Sequence, residues 1–178
     1  MAIETTRRRL LIPTLALCAA ACRKTEPDLS RFTEEEPAHL SSQILMADPR
    51  VASQLLSGWY QVEQNAWRWT ARNFAAVLRP PPGSAVLGAI LRLRLTVPDV
   101  IVQHLHSVTI AAAIGNFRPS PETFLQRCDA VYARDIPPGI LAGESVRVDF
   151  ALDKAMAPGQ ADGRELGVIA HSLSLQTK

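Results

Sequence analysis

The sequence predicts a mainly β chain: an antiparallel, jelly-roll-like β-sandwich preceded by an export segment, a linker and a short helix. Three observations lead there. From Gly58 onward apolar residues recur at every second position, the period of a half-buried strand. Clusters such as Pro80-Pro81-Pro82-Gly83 and Pro137-Pro138-Gly139 cut that pattern into short runs. Strand patterns do not alternate with helical ones, which argues against a doubly wound α/β fold. The chain has 178 residues, 47% hydrophobic and 20% charged, which suits one domain with a buried core and excludes disorder throughout. Its 3 cysteines are too few for a disulfide-dense miniprotein.

Each strand follows from its own alternation. Trp67 and Trp69 share a face, with Arg68 and Thr70 on the other. Phe74, Ala76 and Leu78 continue the pattern until the prolines, which offer no ladder donors, stop it. Leu87, Ala89, Leu91, Leu93, Leu95 and Val97 alternate with Arg92, Arg94 and Thr96 as one long strand. Positions 98–107 fit either a loop with a helical turn or another strand. Val108, Ile110, Ala112 and Ile114 form the next strand, ended by Gly115-Asn116, and a weaker one covers 129–136. Val146, Val148, Phe150 and Leu152 alternate with Arg147, Asp149 and Asp153. The last strand, 167–175, places Ile169, His171, Leu173 and Leu175 on one face. The domain is therefore drawn over 58–178.

Segment 41–57 is expected to be helical. Asp48 suits an N-cap and Pro49 the first helical turn. Val51, Ala52, Leu55 and Leu56 then share a face, and Gly58 stands where a left-handed C-cap is needed, giving a helix over 49–57.

The N-terminus reads as an address. Arg7, Arg8 and Arg9 precede an uncharged run over 10–21, shorter than the about 20 apolar residues a membrane span needs. The break Ala19-Ala20-Ala21-Cys22 resembles the lipobox of bacterial lipoproteins, in which the cysteine is lipidated and becomes the new N-terminus. That resemblance implies a signal peptide at 1–21, lipidation of Cys22, and a lipidated N-terminus and linker at 22–40. It also implies attachment to an envelope membrane, on the periplasmic or outer surface. Residues 1–21 hold Arg7, Arg8, Arg9 and Glu4, so of 19 basic and 17 acidic residues the remainder keeps 16 of each. A chain whose charges balance after residue 21 has no general attraction for nucleic acid, so none is expected as a partner.

Trp59, Tyr60, Trp67 and Trp69 fall within eleven positions and include all 3 tryptophans. Flat aromatic faces suit the apolar faces of sugar rings, and Gln61, Glu63 and Arg68 lie near as hydroxyl partners. The same rings could instead fill the core. Arg164, in Asp162-Gly163-Arg164-Glu165-Leu166-Gly167, could clamp an anion, but an ion pair to Asp or Glu that fixes the last strand is the expected reading. His104 and His106 could share a strand face, yet no third ligand is placed, so no metal and no cofactor are expected. His171 reads as a hydrogen-bonded core-edge residue and Cys128 as a small buried apolar one. No nucleophile elbow, phosphate loop, HExxH or CxxC occurs, so no catalytic residue is assigned and the chain is not read as an enzyme.

Ser57-Gly58-Trp59-Tyr60, then Glu63, Trp67-Arg68-Trp69-Thr70, Asp162 and Arg164-Glu165-Leu166-Gly167 together resemble a bacterial β-sandwich module. That module occurs in small lipoproteins and as an accessory domain beside glycosyltransferases of surface polysaccharide assembly. The resemblance covers about 55–175 and implies a non-catalytic domain near glycans. The expected function is a lipid-anchored module that binds envelope polysaccharide through Trp59, Tyr60, Glu63, Trp67, Arg68, Trp69 and Arg164. The alternative is a structural lipoprotein, or one that binds another envelope protein, with the tryptophans in its core.

Overall fold

In a computed structural model, which describes residues 40–178, the chain is mainly β, and nine strands form one nearly closed antiparallel sheet. The expected signal, Cys22 and nearly all of the linker lie outside the described residues. The strands are β1 Gln43–Leu45, β2 Leu55–Glu63, β3 Trp67–Leu78, β4 Ala89–Val97, β5 Val108–Ala113, β6 Glu122–Phe124, β7 Cys128–Ile136, β8 Val146–Leu152 and β9 Ile169–Thr177. Their order is β6-β5-β8-β3-β9-β4-β7, with β2 added on β3 and β1 on β9.

The sheet turns on β3. One edge of β3 carries β2. The other edge is divided: Arg68 and Trp69 pair with β9, whereas residues 73–78 pair with β8. Between the two stretches the backbone needs other partners. Thr70 N–H donates to Val168 O at 2.9 Å, and Gly167 N–H donates to Thr70 O at 2.7 Å. The Thr70 hydroxyl accepts from Val168 N–H at 3.1 Å, and Glu165 accepts from Arg72 N–H at 2.9 Å. The Arg72 guanidinium donates to Leu152 O and Asp153 O. Where β3 leaves β9, β1 takes its place, with Ile44 opposite Leu173.

The ends of the order, β6 and β7, are joined through side chains. Arg134 donates to Ser120 O at 2.6 Å and Pro121 O at 3.0 Å and pairs with Glu122 at 3.0 Å. The Tyr132 hydroxyl donates to Ser120 O at 3.2 Å, and the Arg134 guanidinium lies 4.2 Å over the Tyr132 ring. Pro119 and Pro121 have no N–H to give, so a regular ladder cannot close this seam.

Inside lie Leu91, Leu93, Leu95 and Val97 of β4, Phe74, Ala76 and Leu78 of β3, Val148, Phe150 and Leu152 of β8, and Leu173 and Leu175 of β9. Phe74 stacks on Phe150 at 4.9 Å. Each large apolar side chain buried here contributes roughly 1.5–3 kcal/mol.

Several local expectations are corrected. Within 41–57 there is no α-helix: β1 is a strand, because β9 offers it an unpaired edge. Asp48 does cap Arg50 N–H, but the helix is 3-10 and spans only Pro49–Gln54. Val51 and Gln54, three apart, share its buried side, and the Gln54 amide bonds Ser41 and Val77 backbone. Leu55 and Leu56 therefore start β2, with Leu56 exposed. Gly58 is not a helix cap; it holds φ +72 inside β2, where a Cβ would lie 2.0 Å from Asn73 O. Leu87 belongs to a one-turn helix, α1 Ser84–Leu87, so β4 starts two residues later than expected. The ambiguous 98–107 segment is helical over α2 Asp99–Leu105, which follows Pro98 and buries Ile101. In β9 the expected inward face holds only beyond His171. Leu173 and Leu175 are buried, but Ile169 and His171 are only half-buried, because a bulge at His171 shifts the alternation.

Thr70→Val keeps the shape of this fully buried side chain but leaves Val168 N–H without its acceptor. It should cost about 2 kcal/mol in urea unfolding, with Thr70→Ser retaining most of the stability. Equal stability of Thr70→Val and the parent would disprove the role given to this hydroxyl.

Candidate functional site

The β2–β3 hairpin builds the first part of the site. Gln64 and Asn65 hold φ 50 and 52, and Ala66 N–H donates to Glu63 O at 3.0 Å, which makes a type I′ turn. Glu63 is thereby set opposite Trp67. Trp67 and Trp69, two apart on β3, share a face and meet edge to face at 6.2 Å. Trp69 is buried, whereas Trp67 is half-buried.

Arg164 reaches this hairpin from 101 positions away in sequence. Its guanidinium donates to Glu63 at 2.8 Å and to Asp162 at 2.7 Å and lies 5.1 Å over the Tyr60 ring. Bonding to Asp162, and then to Glu63, pushes the Arg164 pKa further up. The same contact holds the Asp162 carboxyl below its usual value. The cluster thus has two carboxylates against one guanidinium.

The expected binding residues do not all converge. Tyr60, Glu63 and Arg164 meet, Trp67 stands opposite Glu63 in the ladder and touches Trp69, and all but Trp69 are half-buried. Trp59 faces elsewhere: its indole N–H donates to Ala75 O at 2.7 Å, and its ring meets Phe74 at 4.9 Å. Arg68 donates to Met46 O and Tyr60 O, so it ties the hairpin to the residue after β1. The rest of the 162–167 motif is structural. Glu165 caps Arg72 N–H, Leu166 bridges to Met156, and Gly167 packs where a Cβ would stand 2.7 Å from the Thr70 hydroxyl. His104 lies in α2 and His106 just after it, so strand spacing does not apply to them. Among the described residues no group of three His, Cys, Asp or Glu is placed to hold a metal. Cys128 is half-buried, and burial, followed by the charges of Asp129 and Glu122, pushes its thiol pKa up.

A second cluster was not anticipated from sequence. Trp69, Ile169, Thr96 and Asp129 are successive cross-strand partners over β3, β9, β4 and β7, so they share one face. On β9, Ser172 pairs with Arg94 and Ala170 with Leu95, leaving His171 as the extra residue of a bulge. Bulges re-aim side chains. His171 Nε2 lies 2.8 Å from the Thr96 hydroxyl, which donates to Asp129 at 2.5 Å. A hydroxyl has one proton, so Nε2–H must be the donor to Thr96. The polar face Arg92, Arg94 and Thr96 was visible in the alternation, but the bulge that brings His171 to it has no local signature.

Burial, followed by the nearby Arg94 charge, holds the His171 pKa below 6.5, against a smaller opposing effect of Asp129. A lowered histidine pKa means the unfolded chain binds the proton more readily. Stability should therefore fall as pH drops through about 6.5 and further below it, and His171→Gln should remove that part of the slope. Thermal unfolding of both proteins across this range is the check; identical slopes would contradict the assignment.

Comparison with models of known protein families finds no match to this chain, and comparison with curated proteins finds none either.

Proposed function

We propose that the protein is a membrane-anchored, non-catalytic lipoprotein whose β domain binds envelope glycan. The observation that carries the reading is the half-buried Trp67 and Tyr60 beside the Arg164–Glu63 pair. A sugar presents apolar C–H faces and a hydroxyl rim. Trp67 suits the first, and the carboxylates of Glu63 and Asp162 accept from the second. Its edge contact with Trp69 limits the motion of Trp67, which lowers the entropy lost on binding. The non-catalytic part is supported by the order of the second cluster. In a hydrolytic triad the imidazole stands between hydroxyl and carboxylate. Here the hydroxyl stands in the middle and gives its proton to Asp129, so His171 does not activate it. The anchor is supported by the basic block, the apolar run and Ala19-Ala20-Ala21-Cys22. The resemblance to accessory modules of polysaccharide assembly points the same way.

One observation favours a second reading, a structural or protein-binding envelope lipoprotein. Trp69 is buried and Trp59 spends its N–H on Ala75 O, so two of the three tryptophans are taken up by packing within the fold.

A glycan array of envelope oligosaccharides, followed by calorimetry, separates the two. Trp67→Ala should weaken binding by about tenfold or more with the fold retained. Absence of binding to every envelope sugar would remove the glycan reading and leave the second. For the anchor, mass spectrometry of the mature N-terminus should find acylated Cys22; a chain starting elsewhere, or carrying no acyl group, would overturn it.

A further inference from the structure

The face that carries Trp67 continues across the sheet to a cleft of about 310 Å³, lined by Arg94, Leu95, Asp129, Ala130, Val131 and His171. That volume is at the small end of ligand pockets, which span roughly 300–1,000 Å³, and suits one small ring. The row Trp69, Ile169, Thr96, Asp129 connects the aromatic group to the cleft. With strands about 4.8 Å apart, Thr96 stands about 10 Å from Trp69 along that row, and Trp69 in turn touches Trp67.

The polar groups lining the cleft offer one donor fork and two acceptors. Arg94 is exposed and, among the described residues, has no hydrogen-bond or ion-pair partner. Its planar fork matches a carboxylate. The Asp129 Oδ1 accepts from Thr96, and its other oxygen is open to a hydroxyl donor. With Nε2–H committed to Thr96, neutral His171 presents Nδ1 as an acceptor. One cation beside two acceptors calls for a ligand that combines a single negative charge with hydroxyl groups. A phosphate dianion fits less well, because Asp129 repels two charges more strongly than the single charge of a carboxylate. A neutral sugar leaves Arg94 unused.

The geometry points to this cleft as a subsite for a hexuronate residue, which makes the ligand an acidic envelope polysaccharide. The inference rests on the glycan reading and specifies its ligand class. The carboxylate pairs with Arg94, ring hydroxyls donate to Asp129 and His171, and a neighbouring sugar reaches Trp67. Arg94 is a specificity residue, and the Thr96 hydroxyl positions both Asp129 and His171.

The test is calorimetric titration of the full-length chain with trisaccharides of glucuronate, galacturonate and mannuronate, each beside its methyl ester. The ester keeps the ring and removes the charge. At least one acid should bind about tenfold or more tightly than its ester, and Arg94→Gln should bring the acid down to the ester level. Arg94 is exposed, so its replacement should leave the thermal midpoint unchanged, which verifies folding. Acid and ester binding equally, or Arg94→Gln binding like the parent, would overturn the subsite and leave glycan binding at Trp67 standing. An acid preference lost in Arg94→Gln but untouched by Trp67→Ala would uphold the subsite and remove the aromatic platform. Binding to no acid and no ester would overturn the subsite, and the neutral sugars of the array then decide the broader reading.

Discussion

The divided edge of β3 is the constraint on which the fold depends. A strand that passes from one neighbour to another leaves backbone groups unpaired at the crossing, and buried unpaired groups each cost about 1–3 kcal/mol. Here Thr70, Arg72 and Glu165 supply the missing partners, and Gly167 lets the chain come close enough to use them. With the crossing satisfied, β8 and β9 can both lie on β3, and the sheet curls back on itself instead of extending flat. The gap that β3 leaves on β9 then defines the place of β1, and the curl brings β6 near β7 for Arg134 to bridge.

The same crossing organises the candidate binding face. Arg164, Glu165 and Gly167 sit within four positions, so the segment that locks β3 also delivers Arg164 to Glu63 and Tyr60. Two residues after Gly167, Ile169 enters the row that joins Trp69 to Thr96. Stability and the chemistry of the face are therefore carried by one short stretch of chain. The bulge at His171 adds the final element. It breaks the inward alternation of β9 at the point where Met46 N–H takes the His171 carbonyl, and it presents the imidazole to Thr96. The core loses little by this, because Leu173 and Leu175 resume the inward face beyond the bulge.

What could be read locally was what burial imposes locally. A strand with one face in the core must place an apolar residue at every second position, so Leu91, Leu93, Leu95 and Val97 announced β4, and Val146, Val148, Phe150 and Leu152 announced β8. The proline clusters marked the breaks for an equally local reason, and Asp48 identified its cap. The mainly β, antiparallel class follows from these features alone.

The tertiary structure decided everything that depends on which strands become neighbours. Three-residue β1 and β6 are too short for a period and exist because an edge was open to them. The tryptophans looked alike in sequence, yet one is buried at 69, one is hydrogen-bonded against Phe74 at 59, and one is left half-open at 67. The distant partner of Arg164 was one carboxylate among many until the hairpin turn placed Glu63 beside it. His171 and Thr96 are 75 positions apart and meet only through a bulge. Alternation tells a residue which side it faces; the pairing of distant strands determines what it faces, because that choice is made by the free energy of the whole sheet and not by any stretch within it.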